Sequence, residues 1–232
     1  SDNDFRLCSQ EKHLPWLIDT SYGFDVEIID ESKQICGLAL QGPTSASILR
    51  LLGINEIDNL KPFHLFQTKI SNMPIMISRT GFTGDLGYEI FMKNNVANKI
   101  IERIWRAGTN HGLTAIGYNA LNMARIEAGF LVANIDFVSS YHAIRPNRSR
   151  RPDDLGLGWL VDLDKGFFNG KKSIVKSRLE NLSTFKIYAL EIYSFREKQI
   201  EILSEYLNKY LSYYNLEFKI DIKLNDNFFT KN

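Results

Sequence analysis

Apolar and polar residues recur along this chain at spacings that predict short strands and amphipathic helices in turn. Phe5 to Cys8 reads as a short strand. Ser9 is a candidate N-cap for a helix from Gln10 to about Asp19, with Leu14, Leu17 and Ile18 on its inner side. Asp25 to Ile29 alternates, placing Val26 and Ile28 inward and Glu27 outward, which predicts a half-buried strand. Ile35 to Gln41 is almost wholly apolar and predicts a central strand. Gly42-Pro43 breaks it and opens a helix through Leu52, with proline in the tolerated first turn and Ile48, Leu49 and Leu52 as its core stripe. Phe63 to Ile70 and Pro74 to Ser78 form a second strand pair. Asn94 to Asn110 places Val96, Ile100, Ile101, Ile104 and Trp105 at helical spacing, and Gly112 supplies a C-terminal stop. A further helix runs from about Tyr118 to Glu127, stopped by Gly129. Phe130 to Ile144 reads as loop and short extended pieces. Near the end, Lys186 to Tyr193 alternates as a strand does, Glu197 to Tyr214 reads as a helix rich in Ile, Leu and Tyr, and a Lys- and Asp-rich tail follows. The fold class is α+β: mixed sheets with helices packed on them, built from strand–helix–strand units.

The stretch Ser78 to Phe91 organises these elements. It starts at the end of one strand and finishes inside another, Tyr88 to Met92, and Gly81, Gly84 and Gly87 punctuate it at intervals of three. Glycine lets other groups approach the backbone closely, so the stretch reads as a shaped hairpin. It presents Arg79, Asp85 and Glu89. Alternation with Tyr88 and Ile90 aims the Glu89 carboxylate at one defined face.

With 232 residues, 44% hydrophobic and 24% charged, the chain is long enough to bury a substantial core. A net charge of +1 gives no general electrostatic case for nucleic acid or an anionic membrane. No apolar run approaches the roughly 20 residues of a membrane span. Cys8 and Cys36 lie far apart without metal-ligand spacing, which suits buried thiols in a reducing, cytoplasmic setting; no metal site is expected. The polar, acidic start is unlike a targeting peptide. Without an initiator methionine, the chain reads as a fragment or a processed form. Arg145, Arg148, Arg150 and Arg151 form a basic cluster between Pro146 and Pro152, either a solvated loop or a surface for an anion. His142, the histidine near these motifs, is either structural or catalytic.

Ser78-Arg-Thr-Gly-Phe-Thr-Gly-Asp-Leu-Gly-Tyr-Glu-Ile90 resembles the Arg-Thr-Gly-Tyr-Thr-Gly-Glu-x-Gly-Phe/Tyr-Glu signature of the glycine cleavage T-protein family. That family comprises folate-dependent aminomethyltransferases and related demethylases and amine-oxidising enzymes. Arg125-Ile-Glu-Ala-Gly129 is similar to its Arg-Leu-Glu-Ala-Gly helix end. Leu155-Gly-Leu-Gly-Trp-Leu-Val161, followed by Lys165-Gly-Phe-Phe-Asn-Gly-Lys171, is similar to a third family segment. Leu38-Ala-Leu-Gln-Gly-Pro-Thr-Ser45 resembles the family's Leu-x-Val-Gln-Gly-Pro-x-Ser element and reads as scaffold, without chemistry. Asn134-Ile-Asp136 resembles its Gly-x-Asp segment. Two departures stand out. Where the family has Ala-Arg-Asp, with an arginine serving the folate site, this chain has Ala120-Leu121-Asn122. Phe167 stands where the related iron-sulfur assembly factors carry a cysteine, which argues against that subgroup.

The resemblance spans about Phe5 to Leu179. It implies a folate-binding domain over residues 1–184, with the front of a typical member missing, and a divergent segment over 185–232 where the family's C-terminal barrel is absent or replaced. It implies a tetrahydrofolate site. The pterin's adjacent N–H donors suit a carboxylate that accepts two hydrogen bonds, and Glu89 matches the family glutamate in that role. Arg79, Tyr88 and Arg125 are assigned to the same site, Arg79 and Asp85 either bracing the hairpin or lining the pocket. Lys165 falls where the family often has a basic residue near the folate tail. The family's catalytic aspartate lies in the missing front, so no catalytic residue is assigned. The implied reaction moves a one-carbon unit from a methylated amine or sulfonium donor, or from a lipoyl carrier protein, to folate. The alternative is a non-catalytic folate-binding or interaction domain of the same descent, and whether the chain is an enzyme is left open.

Overall fold

The structure, a computed structural model, describes residues 4–180 and Glu205. Four strands form one antiparallel sheet: β1 (Ile35–Gln41), β2 (Leu65–Ile70), β3 (Met73–Ser78) and β4 (Gly87–Lys93), in the order β1-β4-β3-β2. Strands β2 and β3 join through Ser71 and Asn72, both at positive φ (48° and 66°), the backbone that a two-residue hairpin with right-handed strand twist requires.

Helices α2 (Ser45–Leu51) and α3 (Asn94–Gly108) cover one face of this sheet. Ile48 and Leu49 from α2, and Ala97, Ile100 and Ile104 from α3, meet Leu40, Ile75, Ile77, Tyr88, Ile90 and Met92 from the strands. Trp105, placed inward by spacing alone, is 46% exposed; the stripe that α3 buries runs instead through Ala97, Ile100, Ile104 and Gly108. Gly108 is close-packed because Leu113 lies against it, and Gly112 (φ 75°) makes the expected stop.

Helix α4 (Tyr118–Glu127) ends as predicted. Gly129 takes φ 76°, Gly129 N–H donates to Ile126 C=O (3.0 Å) and Phe130 N–H to Arg125 C=O (2.8 Å). That pair of bonds caps a helix through a left-handed glycine.

Four expectations need correction. Phe5 to Cys8 and Asp25 to Ile29 are not strands: no strand pairs with them, and Val26 and Ile29 are 61% and 65% exposed. The first helix, α1 (Leu14–Ser21), starts later than Gln10. Pro15 has no N–H and its ring would clash with the carbonyl four residues back, so it fits only in the first turn. Ser9 accepts from Glu11 N–H (3.2 Å) and caps nothing in α1. Finally, β1 lies at the edge of the described sheet rather than its centre. Its apolar run contains the small, exposed Gly37 and Ala39, and only Leu40 is fully buried.

The chain divides into two compact units, Ser1–Pro146 and Asn147–Asn232. In the second, Arg151 N–H donates to Asp154 Oδ2 (3.0 Å), Arg178 Nε to Asp153 Oδ1 (2.9 Å) and Arg178 Nη2 to Gly158 C=O (2.7 Å). Gly170 (φ 92°) makes the predicted turn into α5 (Lys171–Leu179). The strand at 186–193, the helix at 197–214, and the expected boundary at 184/185 lie outside the described residues. Among the described residues, no helix is long and apolar enough to cross a membrane, and no group of three or more His, Cys, Asp or Glu side chains could hold a metal ion.

Ile77 and Ile90 are fully buried opposite each other in β3 and β4, whereas Ile126 is 56% exposed. Ile77→Ala or Ile90→Ala should lower unfolding stability by about 2–4 kcal/mol, and Ile126→Ala by no more than about 0.5 kcal/mol, in urea denaturation followed by circular dichroism.

Candidate functional site

The chemistry-bearing stretch is the connection between β3 and β4. Ser78 and Glu89 are cross-strand partners, the last pair before the strands diverge. Ser78 Oγ lies 2.7 Å from Thr80 Oγ1, and Thr80 Oγ1 donates to Glu89 Oε2. With its proton given to the carboxylate, the Thr80 oxygen accepts from Ser78. The result is a two-hydroxyl relay ending on the acid.

Gln41, the last residue of β1, holds the loop's shape. Its Nε2 donates to Tyr88 C=O (3.2 Å) and Thr80 C=O (3.4 Å), and its Oε1 accepts from Thr83 Oγ1 (3.4 Å). A Cβ on Gly81 would lie 2.0 Å from Gln41 Oε1, and one on Gly87 1.9 Å from the same atom. Two of the three glycines are therefore spaces that the glutamine amide fills. The third, Gly84 (φ 78°), lies against Ala128 at the end of α4, where a Cβ would come within 2.6 Å of the alanine methyl. Phe82 stacks on Phe130 at 5.3 Å between ring centroids and 25° between planes. The hairpin is thus pinned on one side by β1 and on the other by the α4 turn.

Glu89 projects from the sheet face opposite the helices. Beside it in register stand Ala39 on β1 and Ser78 on β3, and one step along are Phe91 and Met76, both partly exposed. Glu89 is itself partly exposed, and among the described residues its Oε1 has no hydrogen-bond partner. Tyr88, its neighbour, points the other way and is 2% exposed. Burial pushes its phenol above the ordinary tyrosine range, opposed by Arg79 and Arg50. Arg79 Nη1 donates to Leu60 C=O (2.8 Å), and its backbone pairs with His64 and Phe63, so it ties the hairpin to the segment before β2. Asp85 Oδ1 accepts from Leu86 N–H (2.6 Å) at the exposed tip.

Arg125 is 2% exposed, inside the α4 turn. It pairs with Asp136, and its Nε donates to Asn122 Oδ1 (2.8 Å) and its Nη1 to Phe130 C=O (3.0 Å). Nη2 is buried with no partner among the described residues. Lys165 belongs to the second unit, its Nζ 4.8 Å from the centre of the Phe168 ring. In the basic cluster, Arg150 Nη1 donates to the carbonyls of Asn147, Arg148 and Ser149, and Arg151 binds Asp154 and Ser177. The structure therefore gathers Glu89, Tyr88 and Arg79 on one hairpin, with Tyr88 behind it, and joins Arg125 to them through Phe130 and Phe82.

Residues 1–165 match the family model described as the GCVT N-terminal domain. The chain belongs to that family. It is 34% identical over 173 residues to an aminomethyltransferase of Halothermothrix orenii, covering 75% of this chain and 46% of that protein. It is 31% identical over 198 residues to one of Clostridium botulinum, covering 83% of this chain and 51% of that protein. The crystal structure of glycine cleavage system aminomethyltransferase T from Bartonella henselae superposes with a TM-score of 0.56 at 26% identity, over 72% of this chain and 42% of that chain. This GCVT-type chain spans about half the length of the curated relatives it matches. The shared fold is the α+β T-protein fold that the three motifs imply.

Gln41 and Thr80 are the functional residues that reading the sequence did not single out. Gln41 sat in an element taken as scaffold. No local signal in the sequence could have found it, because Gly81 and Gly87 meet the Gln41 amide only once the strands have paired. Gly87→Ala and Gln41→Ala should each cost about 1–2 kcal/mol of stability. Because both act on the same contact, the double variant should cost less than the two together by at least about 0.5 kcal/mol, measured by urea denaturation.

Proposed function

We propose that this chain carries the folate-binding half of a tetrahydrofolate-dependent aminomethyltransferase, the site being the face around Glu89. The observation that carries this reading is the Glu89 carboxylate itself. It stands on a strand, one oxygen is steadied by Thr80, and the other has no partner among the described residues. A carboxylate so placed accepts two adjacent N–H donors, which is what a pterin ring offers. Phe91 and Met76 beside it supply an apolar floor for a flat ring. The residues present therefore fit the group.

Tetrahydrofolate supplies the nucleophilic nitrogen that takes up the one-carbon unit. The work of this chain's residues is to bind and orient. Glu89 fixes the pterin end. The hydroxyls of Thr80 and Ser78 hold the carboxylate in one rotamer, and Gln41 and Tyr88 hold the backbone that carries it. Arg79 and Arg125 act as supports of the hairpin and of the α4 turn that braces it. Lys165 is assigned to the carboxylates of the tail on the motif resemblance alone. Bringing donor and acceptor together is a large share of the catalysis such a transfer needs, because a bimolecular encounter becomes an intramolecular one. The donor is a methylated amine or sulfonium compound, or an aminomethyl group on a lipoyl carrier protein. In this reading residues 1–184 hold the folate, residues 185–232 are a divergent addition, and the protein works in the cytoplasm.

Leu121 favours one second reading, a folate-binding relative without catalysis. The family arginine that serves the site is replaced there by a side chain that can neither donate nor carry charge.

Titration of the purified chain with a reduced folate, followed by fluorescence or calorimetry, tests the proposal. Binding in the micromolar range is expected, with Glu89→Ala weakening it by about 100-fold for loss of a charge-assisted hydrogen-bond pair. Absence of binding at millimolar folate, or an unchanged affinity in Glu89→Ala, would overturn it. Turnover with a methylated amine then separates the two readings.

A further inference from the structure

A second constellation, remote in sequence from the hairpin, is assembled around Glu11. Its side chain is 12% exposed. Oε1 accepts from Ser139 Oγ, from Asn134 Nδ2 (2.7 Å) and from His142 Nδ1 (2.9 Å). The other oxygen lies 3.6 Å from His13 Nε2. The hydrogen bond from Ser139, then that from Asn134, holds the carboxyl below the usual carboxylate range, so it is ionised at neutral pH.

An ionised carboxylate can only accept, so the 2.9 Å contact calls for a donor at His142 Nδ1, which also lies 3.2 Å from Ser139 Oγ and 3.2 Å from Asn134 Nδ2. With Nδ1 engaged in this way, Nε2 is the ring nitrogen left for a ligand. The ring is 53% exposed and lines a cavity of about 430 Å³ with Glu11, Lys12, Asn134 and Tyr141. The Tyr141 ring stands edge-on to His142 (5.1 Å, 76°) and to His13 (6.2 Å, 90°). Asn134 sits at φ 63°, a left-handed conformation that asparagine adopts more readily than most residues. Its Nδ2 serves Glu11 and its Oδ1 accepts from Ser139 N–H (3.3 Å). Two segments far apart in the chain thus converge on one imidazole.

We propose that Glu11 and His142 form a proton-accepting dyad, and that the cavity seats a small amine whose ammonium N–H is presented to His142 Nε2. The step balances simply. The N–H bond of the ammonium breaks, the Nε2–H bond forms, and the electron pair stays on the amine nitrogen. Glu11 stabilises the resulting imidazolium, as a carboxylate does behind a catalytic histidine. The other titratable groups that line the cavity or face the rings are His13, Tyr141 and Lys12. If the aminomethyltransferase reading holds, the occupant is the one-carbon donor; that identity rests on the reading, whereas the dyad does not.

The test follows the His142 ring signals by NMR in the full chain during two titrations. N,N-dimethylglycine carries an ammonium N–H. N,N,N-trimethylglycine has the same charges and no N–H. Dimethylglycine should shift the His142 signals saturably and bind at least about tenfold more tightly than trimethylglycine, the worth of one hydrogen bond to a charged group. His142→Gln should abolish that preference, Glu11→Gln should reduce it by removing the charge that supports the imidazolium, and His13→Gln should retain it. No shift at about 50 mM dimethylglycine, or equal affinity for the two ligands, would overturn the proposal. The comparison of the two ligands needs only the wild-type chain, so a variant that fails to fold does not blunt it. Folate titration of the same sample reports separately. A dyad that responds in a chain that ignores folate would leave this site standing and sink the folate reading; the reverse result would sink the dyad alone.

Discussion

The side-chain amide of Gln41 lodged between Gly81 and Gly87 is the contact on which the site's geometry depends. An amide has a donor end and an acceptor end at fixed separation, and here both ends are engaged by one loop: Nε2 with the carbonyls of Tyr88 and Thr80, Oε1 with the hydroxyl of Thr83. A hydroxyl or a methyl in its place could satisfy only part of this set. The glycines are the counterpart of the same constraint, since any Cβ there would occupy the amide's position. The loop is therefore shaped by a residue from the neighbouring strand β1 rather than by its own turn propensities, and it carries Thr80 to the carboxylate as a consequence.

That dependence explains what could be read in the sequence and what could not. Helices α3 and α4 were legible because their periodicity and their terminal glycines are local properties. The bounds of β1 and the pairing of β2 with β3 were legible because a break or a tight turn flanks each. Phe5 to Cys8 and Asp25 to Ile29 carry the same local alternation and form no strand. A strand is a pairwise object, and a pattern holds no information about whether a ladder partner arrives. The edge position of β1 was hidden for a related reason: Gly37 and Ala39 count as apolar, yet they cover little surface and leave it exposed. Glu89 could be placed on the correct face by alternation alone. Gln41 could not be given a role, because its partners lie about 40 or more residues further on and meet it only through β4.

Arg125 shows how burial governs what a charge can do. The resemblance assigns this arginine to the proposed folate site. Burial changes the terms: a guanidinium almost fully removed from water must be paired, and Asp136, Asn122 and the Phe130 carbonyl do so. These partners fix the turn after α4, and the turn presents Phe130 to Phe82 and Ala128 to Gly84. The charge acts on the hairpin through packing rather than through a field. One amino group of the guanidinium is buried without a partner among the described residues. A group that costs this much to leave unpaired is retained where its other bonds hold something that weaker contacts could not.

The two carboxylates discussed above illustrate opposite uses of one functional group. Glu11 is enclosed and has three donors on a single oxygen, so its charge is committed to the protein and can act only through the histidine it orients. Glu89 is held by one hydroxyl on an open sheet face, with its second oxygen available. Hydrogen bonds that replace water contribute little net energy each, so selectivity at Glu89 depends on fixed orientation more than on strength. Its position on a strand between two others removes most rotational freedom before any ligand arrives, and the Ser78–Thr80 relay removes much of what remains. In the proposed site, recognition of a flat, donor-bearing ring then needs only a floor, which Phe91 and Met76 offer on the same face. The rigidity of the sheet, rather than the number of polar contacts, is what makes a single carboxylate sufficient.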